Sequence, residues 1–211
     1  MDLLKHFIFM DDVDMDVPTI SLTVNADGTY STPICNDTLN KQQWHIIKIK
    51  NEIVAYGINE NEYDMDVVGK HLNPDEFNRC IDDEDTIVVD IRNHYESEVG
   101  HFKGALKPDV ERSQDLLPEV KRLLANQEDR KVLLYCTGGI RCEKASAYLK
   151  HHGFKDVNQL HGGIIDYARQ LNKDDSLENN FQGKNFVFDE RRGERISNDV
   201  VSSCHQCGEP Y

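Results

Sequence analysis

One stretch constrains the fold more than any other. Lys131-Val132-Leu133-Leu134-Tyr135, a continuous apolar run, delivers Cys136 into Thr137-Gly138-Gly139-Ile140-Arg141 and then directly into a helical pattern, Cys142 to His152, that Gly153 stops. A strand apolar on both faces must be covered on both faces, and one that passes through a glycine turn into a helix belongs to a parallel α/β unit. The surrounding chain repeats the alternation. Thr86 to Asp90 and Val157 to Leu160 read as further buried strands. Asn73-Pro74-Asp75-Glu76 carries helix-start chemistry ahead of Phe77, Cys80 and Ile81. Asp115 to Asn126 aligns Leu116, Leu117, Val120, Leu123 and Leu124 on one helical face, and after Gly162-Gly163 the run Ile164 to Leu171 resumes helical spacing. The fold expected is an α/β parallel sheet with helices on both faces, its ligand site outside the carboxyl ends of the strands, where the Cys136 loop lies.

This core is expected over residues 67–175. Residues 1–66 read as a small, incomplete module: Thr19 to Val24 alternates weakly, Asp27-Gly28-Thr29 signals a turn, and Trp44 to Lys50 and Ile53 to Gly57 look like adjacent strands. Residues 176–211 form a polar extension in which Phe186-Val187-Phe188 suits an edge strand.

Charge and cysteine use narrow the setting. The 211 residues carry a formal net charge of -14, with acid concentrated in the first third, which disfavours a general nucleic-acid coat and gives no reason to expect DNA as a partner. Lys131, Arg141, Lys144, Lys150 and Lys155 make the neighbourhood of the loop locally basic, and a solvated helix face is the competing reading. Met1 to Met10 lacks a basic start and runs into Asp11 and Asp12, so neither a signal peptide nor a membrane span is expected. Cys35, Cys80, Cys136, Cys142, Cys204 and Cys207 are too few and too irregular for a disulfide framework. Reduced thiols and a cytoplasmic location follow as the expectation.

The loop carries the chemistry. Glycines let successive backbone N–H groups turn toward one point, and the helix start adds its positive end, so a thiolate or small anion is stabilised there. Cys136 is therefore the expected nucleophile, with a depressed pKa, and Thr137, Gly138, Gly139, Ile140, Arg141 and Cys142 are the expected anion cradle. Cys-x4-Arg is one residue tighter than the Cys-x5-Arg loop of cysteine-dependent phosphatases, which favours a sulfane sulfur or similarly small group over a phosphate. Arg141 can neutralise an anion on Cys136 or pair with Glu143 or Asp90. Asp90 and Arg92, at a neighbouring strand end, are expected to support the site through an ion pair or loop hydrogen bonds. Cys142 is either a small packing residue or a thiol placed to resolve a sulfenate or persulfide on Cys136.

Cys136-Thr-Gly-Gly-Ile-Arg141 resembles the rhodanese C-x-x-G-x-R loop, and Val88-Val89-Asp90-Ile91-Arg92 with Glu96, Gly100-His101-Phe102 and Gly104-Ala105 resembles the first rhodanese signature. Gly153-Phe154-Lys155-Asp156-Val157 with Leu160 and Gly162-Gly163 is similar to the second. The run from Cys136 through Tyr148, together with Gly183 to Arg191 and Cys204-His205-Gln206-Cys207-Gly208, resembles the bacterial rhodanese-domain tRNA uridine(34) hydroxylases over roughly residues 44–211. The resemblance implies hydroxylation of the wobble uridine to 5-hydroxyuridine, with molecular oxygen as co-substrate, the tRNA anticodon region as partner and Cys136 as the required residue. In that pattern residues 1–66 correspond to part of a ferredoxin-like domain, without its Glu-Gly-Ile-Asn stretch, and Glu96 is a structural carboxylate near Arg92. The chain reads as a shortened member. The loop alone fits a sulfurtransferase carrying a persulfide equally well, and a non-catalytic rhodanese interaction module is a third reading.

Three weaker constellations remain. Cys204-x2-Cys207 is half of a zinc site by spacing, and tetrahedral zinc wants four ligands. His94-Tyr95-Glu96 has the spacing of a non-haem iron triad, with His101 or His161 as third ligand, and is discounted because Glu96 has a structural place. Arg191, Arg192 and Arg195 form a basic cluster diluted by Asp189, Glu190 and Glu194 that serves either RNA phosphate or surface ion pairs.

Overall fold

The structure is a computed structural model that describes residues 23–24, 30–31, 54–188, 193–203 and 206–210. The chain divides into two compact units, Met1–Ile49 and Lys50–Tyr211. In the first, β1 (Thr23–Val24) and β2 (Tyr30–Ser31) pair antiparallel; the turn expected at Asp27-Gly28-Thr29 lies outside the described residues.

The second unit is built on four parallel strands, β3 (Lys70–Leu72), β4 (Thr86–Asp90), β6 (Lys131–Tyr135) and β7 (Asp156–Leu160), in the order β3-β7-β6-β4. Alternation along β6 decides which layer covers which face. Val132, Leu134 and Cys136 face one cluster with Leu116, Leu117 and Val120 of α3 (Ser113–Leu123) and Ala145, Tyr148 and Leu149 of α4 (Ile140–His151). Leu133 and Tyr135 face the other, with Phe77 of α1 (Pro74–Ile81) and Ile164 and Tyr167 of α5 (Gly163–Leu171). The chain is therefore an α/β protein, its parallel sheet sandwiched between helices.

Local chemistry sets the element ends. At α1, Asn73 Oδ1 accepts from the Glu76 amide at 2.9 Å and Glu76 Oε2 accepts from the Asn73 amide at 3.0 Å, with Pro74 in the first turn. This reciprocal cap satisfies two amides that the helix start leaves unpaired. A short helix, α2 (His94–Glu98), and β5 (Gly100–Phe102) follow β4; neither was legible in the apolar pattern, because five and three residues are too few to show a period.

Two expectations differ from the structure. Ile53 to Gly57 does not form a strand over its described part: residues 54–59 run irregularly, and Tyr56, 1% exposed, packs with Val54, Ile58 and Tyr63 onto the α3 and α4 cluster. The added strand of the extension is β8 (Phe181–Asn185), not Phe186 to Phe188. It pairs antiparallel with β5 on one side and with β9 (Glu194–Arg195) on the other. Phe181 alternates inward with Gly183 and Asn185 and packs on Phe102 at 5.2 Å between ring centroids, a contact Phe188, 69% exposed, does not make. The Trp44 to Lys50 strand expected from the sequence lies outside the described residues.

Candidate active site

The loop between β6 and α4 is pinned from outside. The α5 start donates from the Ile164 and Ile165 amides to the carbonyls of Cys136 and Thr137, each at 3.0 Å. With those carbonyls drawn outward, the amides that follow turn inward. Gly139 takes a left-handed conformation, φ 88°, and its N–H donates to Cys136 Sγ at 3.2 Å. Gly138, at the tip, is exposed, and a side-chain carbon built on it meets nothing within 4 Å.

Electrostatics favour the thiolate. Burial alone pushes the Cys136 thiol up, but a hydrogen bond from the Cys142 thiol, the Arg141 charge and the amides of Cys142 and Arg141 reverse this and hold it down to about 6. Cys142 moves the other way. Its burial, its bond to Cys136 and the neighbouring negative charge keep it protonated, so it is the donor of the pair. Because the folded state depresses the Cys136 pKa, the thiolate contributes stability that is present above the unfolded value and is lost as pH falls through about 6. The rate of iodoacetamide alkylation of Cys136, followed by mass analysis against pH, should rise with a midpoint near 6; a midpoint near the ordinary value of about 8.5 would refute the cradle.

Arg141 is held by a partner that its sequence neighbours did not suggest. Its Nη1 and Nη2 donate to Glu96 Oε1 and Oε2 at 2.6 and 2.7 Å, and Nη2 also reaches Thr137 Oγ1 at 3.0 Å. Glu96 is fully buried and Arg141 is 16% exposed. The charge of Glu96 also favours the protonated Arg92 near it. Arg141 thus pairs with Glu96 rather than with Glu143 or Asp90. The reason is the cap of α2: Glu96 Oε1 accepts from the Asn93 amide at 3.2 Å, which turns the carboxylate toward the loop. An Asn-x-x-Glu spacing in the sequence was the available signal.

Asp90 and Arg92 form a separate buried unit. Arg92 donates from Nε to Asp90 Oδ1 at 2.8 Å and from Nη2 to Oδ2 at 2.6 Å, with both side chains at 0% exposure. Tyr135 donates to Asp90 Oδ2 at 2.7 Å, and Arg92 Nη2 also reaches the Gly100 carbonyl at 2.7 Å. The pair joins β4, β6 and β5 rather than touching Cys136.

Tyr56 is the residue that sequence reasoning missed. Its hydroxyl is 3.5 Å from the Arg141 carbonyl oxygen, and burial beside Cys136 raises its pKa well above the ordinary value. Nothing local marks it as a site residue, since it sits in the apolar run Ile53 to Gly57 that reads as a strand. Glu143 faces the sheet edge, where it meets His71 Nε2 at 2.6 Å and accepts from Gln159 Nε2 at 3.1 Å.

The locally basic stretch is largely absorbed by the fold. Lys144 is 7% exposed and lies 4.6 Å from the Tyr63 ring, Lys150 donates to the Val68 carbonyl at 3.0 Å, and Lys155 pairs with Asp129. His94 pairs with Glu98 at 2.9 Å and Asp109 at 3.4 Å, and His101 Nδ1 meets the Ser97 carbonyl at 3.0 Å. With Glu96 engaged by Arg141, the iron triad is not assembled, and among the described residues no group of three or more His, Cys, Asp or Glu side chains is arranged to hold a metal. Cys207 is exposed; Cys204, Arg191 and Arg192 lie outside the described residues. Arg195 Nη1 reaches the Ser197 carbonyl at 3.3 Å. Among the described residues no helix is long and apolar enough to cross a membrane.

Comparison with known proteins agrees with this geometry. Residues 73–170 match the Rhodanese-like domain and residues 182–211 the Rhodanase C-terminal region. A Leptospira interrogans protein named tRNA uridine(34) hydroxylase is 58% identical over 162 residues, 77% of this chain and 44% of its own length. A Yersinia enterocolitica protein of the same name is 48% identical over 178 residues, 84% of this chain and 51% of its own. The chain thus spans about half the length of the curated relatives it matches. A rhodanese-like domain protein from Staphylococcus aureus, solved by crystallography, is similar over 46% of this chain and 90% of its own, with 22% identity and a TM-score of 0.40.

Proposed function

Because the chain belongs to the rhodanese-domain family whose curated members are named tRNA uridine(34) hydroxylase, we propose that its Cys136 loop serves the oxygen-dependent hydroxylation of the wobble uridine of tRNA to 5-hydroxyuridine. The observation that carries this reading is a thiol, held down to about 6, that receives the Gly139 amide at 3.2 Å beside a fixed guanidinium. Such a sulfur is in its nucleophilic form at neutral pH without a separate base. The wobble base unstacks from the anticodon loop, as enzymes acting on a base generally require. It meets the site at its exposed rim, Gly138 and Ile140, the latter 36% exposed. Cys136 itself is 1% exposed, so the reactant that reaches Sγ in this arrangement is small, as molecular oxygen is.

In this reading Cys136 is the catalytic residue, residues 137–142 hold negative charge on its sulfur, and Asp90 and Arg92 support the loop through the sheet. Residues 1–66 supply part of a ferredoxin-like module, 67–175 the rhodanese domain, and 176–211 an extension that completes its edge. A tRNA substrate carries with it a cytoplasmic setting.

The test uses a host deleted for the full-length gene and restored with either the wild-type sequence or Cys136→Ala. Mass analysis of tRNA nucleosides should find 5-hydroxyuridine restored by the first and absent with the second. Modification that survives Cys136→Ala sinks the reading. Rapid, Cys136-dependent transfer of sulfur from thiosulfate to cyanide, with the modification unchanged, would make the chain a sulfurtransferase.

A further inference from the structure

A guanidinium at the end of an anion-binding loop is suited to meet an oxyanion with its two terminal nitrogens, the geometry that makes arginine a bidentate partner of phosphate and carboxylate. In this chain that end is already filled. Glu96 accepts from Nη1 and Nη2 of Arg141 at 2.6 and 2.7 Å, one oxygen to each nitrogen. Thr137 closes the arrangement: its hydroxyl accepts from Arg141 Nη2 at 3.0 Å and donates to Glu96 Oε2 at 3.4 Å.

Neither partner can give way. Glu96 is fully buried and Arg141 is 16% exposed, so turning the guanidinium toward a ligand would strand a carboxylate in the interior. Glu96 is also tied to its own helix, through the Asn93 amide at 3.2 Å. Neighbouring cations offer no substitute: Arg92 is buried on Asp90, Lys144 lies against the Tyr63 ring, and Lys150 donates to the Val68 carbonyl. With Cys136 ionised, thiolate, guanidinium and carboxylate together carry one net negative charge. The direct contact to the sulfur is from the backbone, the Gly139 amide at 3.2 Å.

We propose that Glu96 is a positioning residue that sets the reactant class of Cys136: by occupying the oxyanion-binding end of Arg141 it excludes thiosulfate, sulfate and phosphate monoesters, and reserves the sulfur for a small uncharged reactant. The inference rests on the reading above in taking Cys136 as the reacting sulfur, and it deepens that reading by naming what the loop admits. The selection is Coulombic. An anion approaching Sγ meets a group of its own sign while the guanidinium fork faces Glu96, whereas a neutral molecule meets no such opposition. Cys136 is 1% exposed, so size is restricted along with charge.

The experiment treats the full chain with two alkylating reagents of nearly equal size, neutral iodoacetamide and anionic iodoacetate, and follows the rate at Cys136 by mass analysis. Both consume the thiolate, so their rate ratio cancels any change in thiolate fraction, and a loosened loop speeds both alike. Relative to mercaptoethanol, an uncharged free thiol, the iodoacetate-to-iodoacetamide ratio at Cys136 should be lower by roughly tenfold in wild type, as one net charge at close range requires. Thiosulfate and sulfate should leave the wild-type iodoacetamide rate unchanged. In Glu96→Gln, which keeps the shape and removes the charge, the ratio should rise roughly tenfold and both anions should slow alkylation. A wild-type ratio equal to that of the free thiol or above it, protection of wild type by either anion, or a ratio unmoved in Glu96→Gln overturns the proposal. The wild-type measurements decide it alone if the variant does not fold. Cys136-dependent 5-hydroxyuridine without anion discrimination would remove this inference only; anion discrimination with modification that survives Cys136→Ala would remove the hydroxylase reading only.

Discussion

Replacing Asp90 with alanine should destabilise the second unit by about 3–5 kcal/mol, the range for removing one member of a buried ion pair. Asp90 and Arg92 are both fully buried, and Asp90 accepts from Arg92 twice and from the Tyr135 hydroxyl once. Without the carboxylate the guanidinium, whose Nη1 has no partner, stays in the interior with only the Gly100 carbonyl at 2.7 Å, and Tyr135 loses its acceptor. Against a total of about 5–15 kcal/mol, that loss is decisive. Urea unfolding would measure it. Replacing both partners, as Asp90→Leu with Arg92→Met, should recover most of the stability, because the buried charge is then gone. A single-variant loss below about 1 kcal/mol would show that the pair is not what holds β4, β5 and β6 together.

Gly163→Ala should disable the loop while leaving the sheet in place. Gly163 has φ 64°, and a Cβ there would lie 2.5 Å from the Cys136 carbonyl oxygen, 2.7 Å from the Gly139 nitrogen and 2.7 Å from the Thr137 carbonyl oxygen. All three are backbone atoms, so no side chain can swing aside. The left-handed conformation adds about 1–2 kcal/mol for a residue with a Cβ. Relief requires α5 and the loop to separate, which breaks the bonds from Ile164 and Ile165 and lets the amides turn away from Sγ. The alkylation midpoint of Cys136 should then move up from about 6 toward the ordinary thiol value of about 8.5. Gly153→Ala is the control. Its φ is 92°, yet its Cβ would meet nothing within 4 Å, so it carries backbone strain without touching the loop. An unchanged midpoint in Gly163→Ala would mean that α5 does not hold the cradle.

These two sites also mark what could and could not be read in the sequence. The strands Thr86–Asp90 and Lys131–Tyr135 were legible to the residue because a strand buried on both faces writes itself as an unbroken apolar run between turn signals. The loop was legible because a cysteine, two glycines and a helix start in succession have few other uses. The partner of Arg141 was not. Glu96 and Arg141 are 45 positions apart, and the side chain that meets a guanidinium is chosen by how α2 is capped, a tertiary consequence of Asn93. Gly162-Gly163 was visible as a helix boundary, but the close approach that excludes a side chain at Gly163 exists only once α5 is docked on the loop. Tyr56 escaped because its apolar run, Ile53 to Gly57, reads as one more strand, whereas its place beside the loop comes from packing onto the α3 and α4 cluster.

The antiparallel pairing of Phe181–Asn185 with Gly100–Phe102 has a practical meaning for anyone dissecting this chain. The two regions recognised by homology meet on either side of residues 171–181, which invites a cut there. Such a cut would strip the ring that Phe181 lays against Phe102, and leave a raw hydrogen-bonding edge beside the Gly100 carbonyl on which Arg92 rests. The piece that can be handled as an independent body is therefore the longer one. A minimal fragment trimmed to the first homology region should aggregate rather than simply lose an appendage.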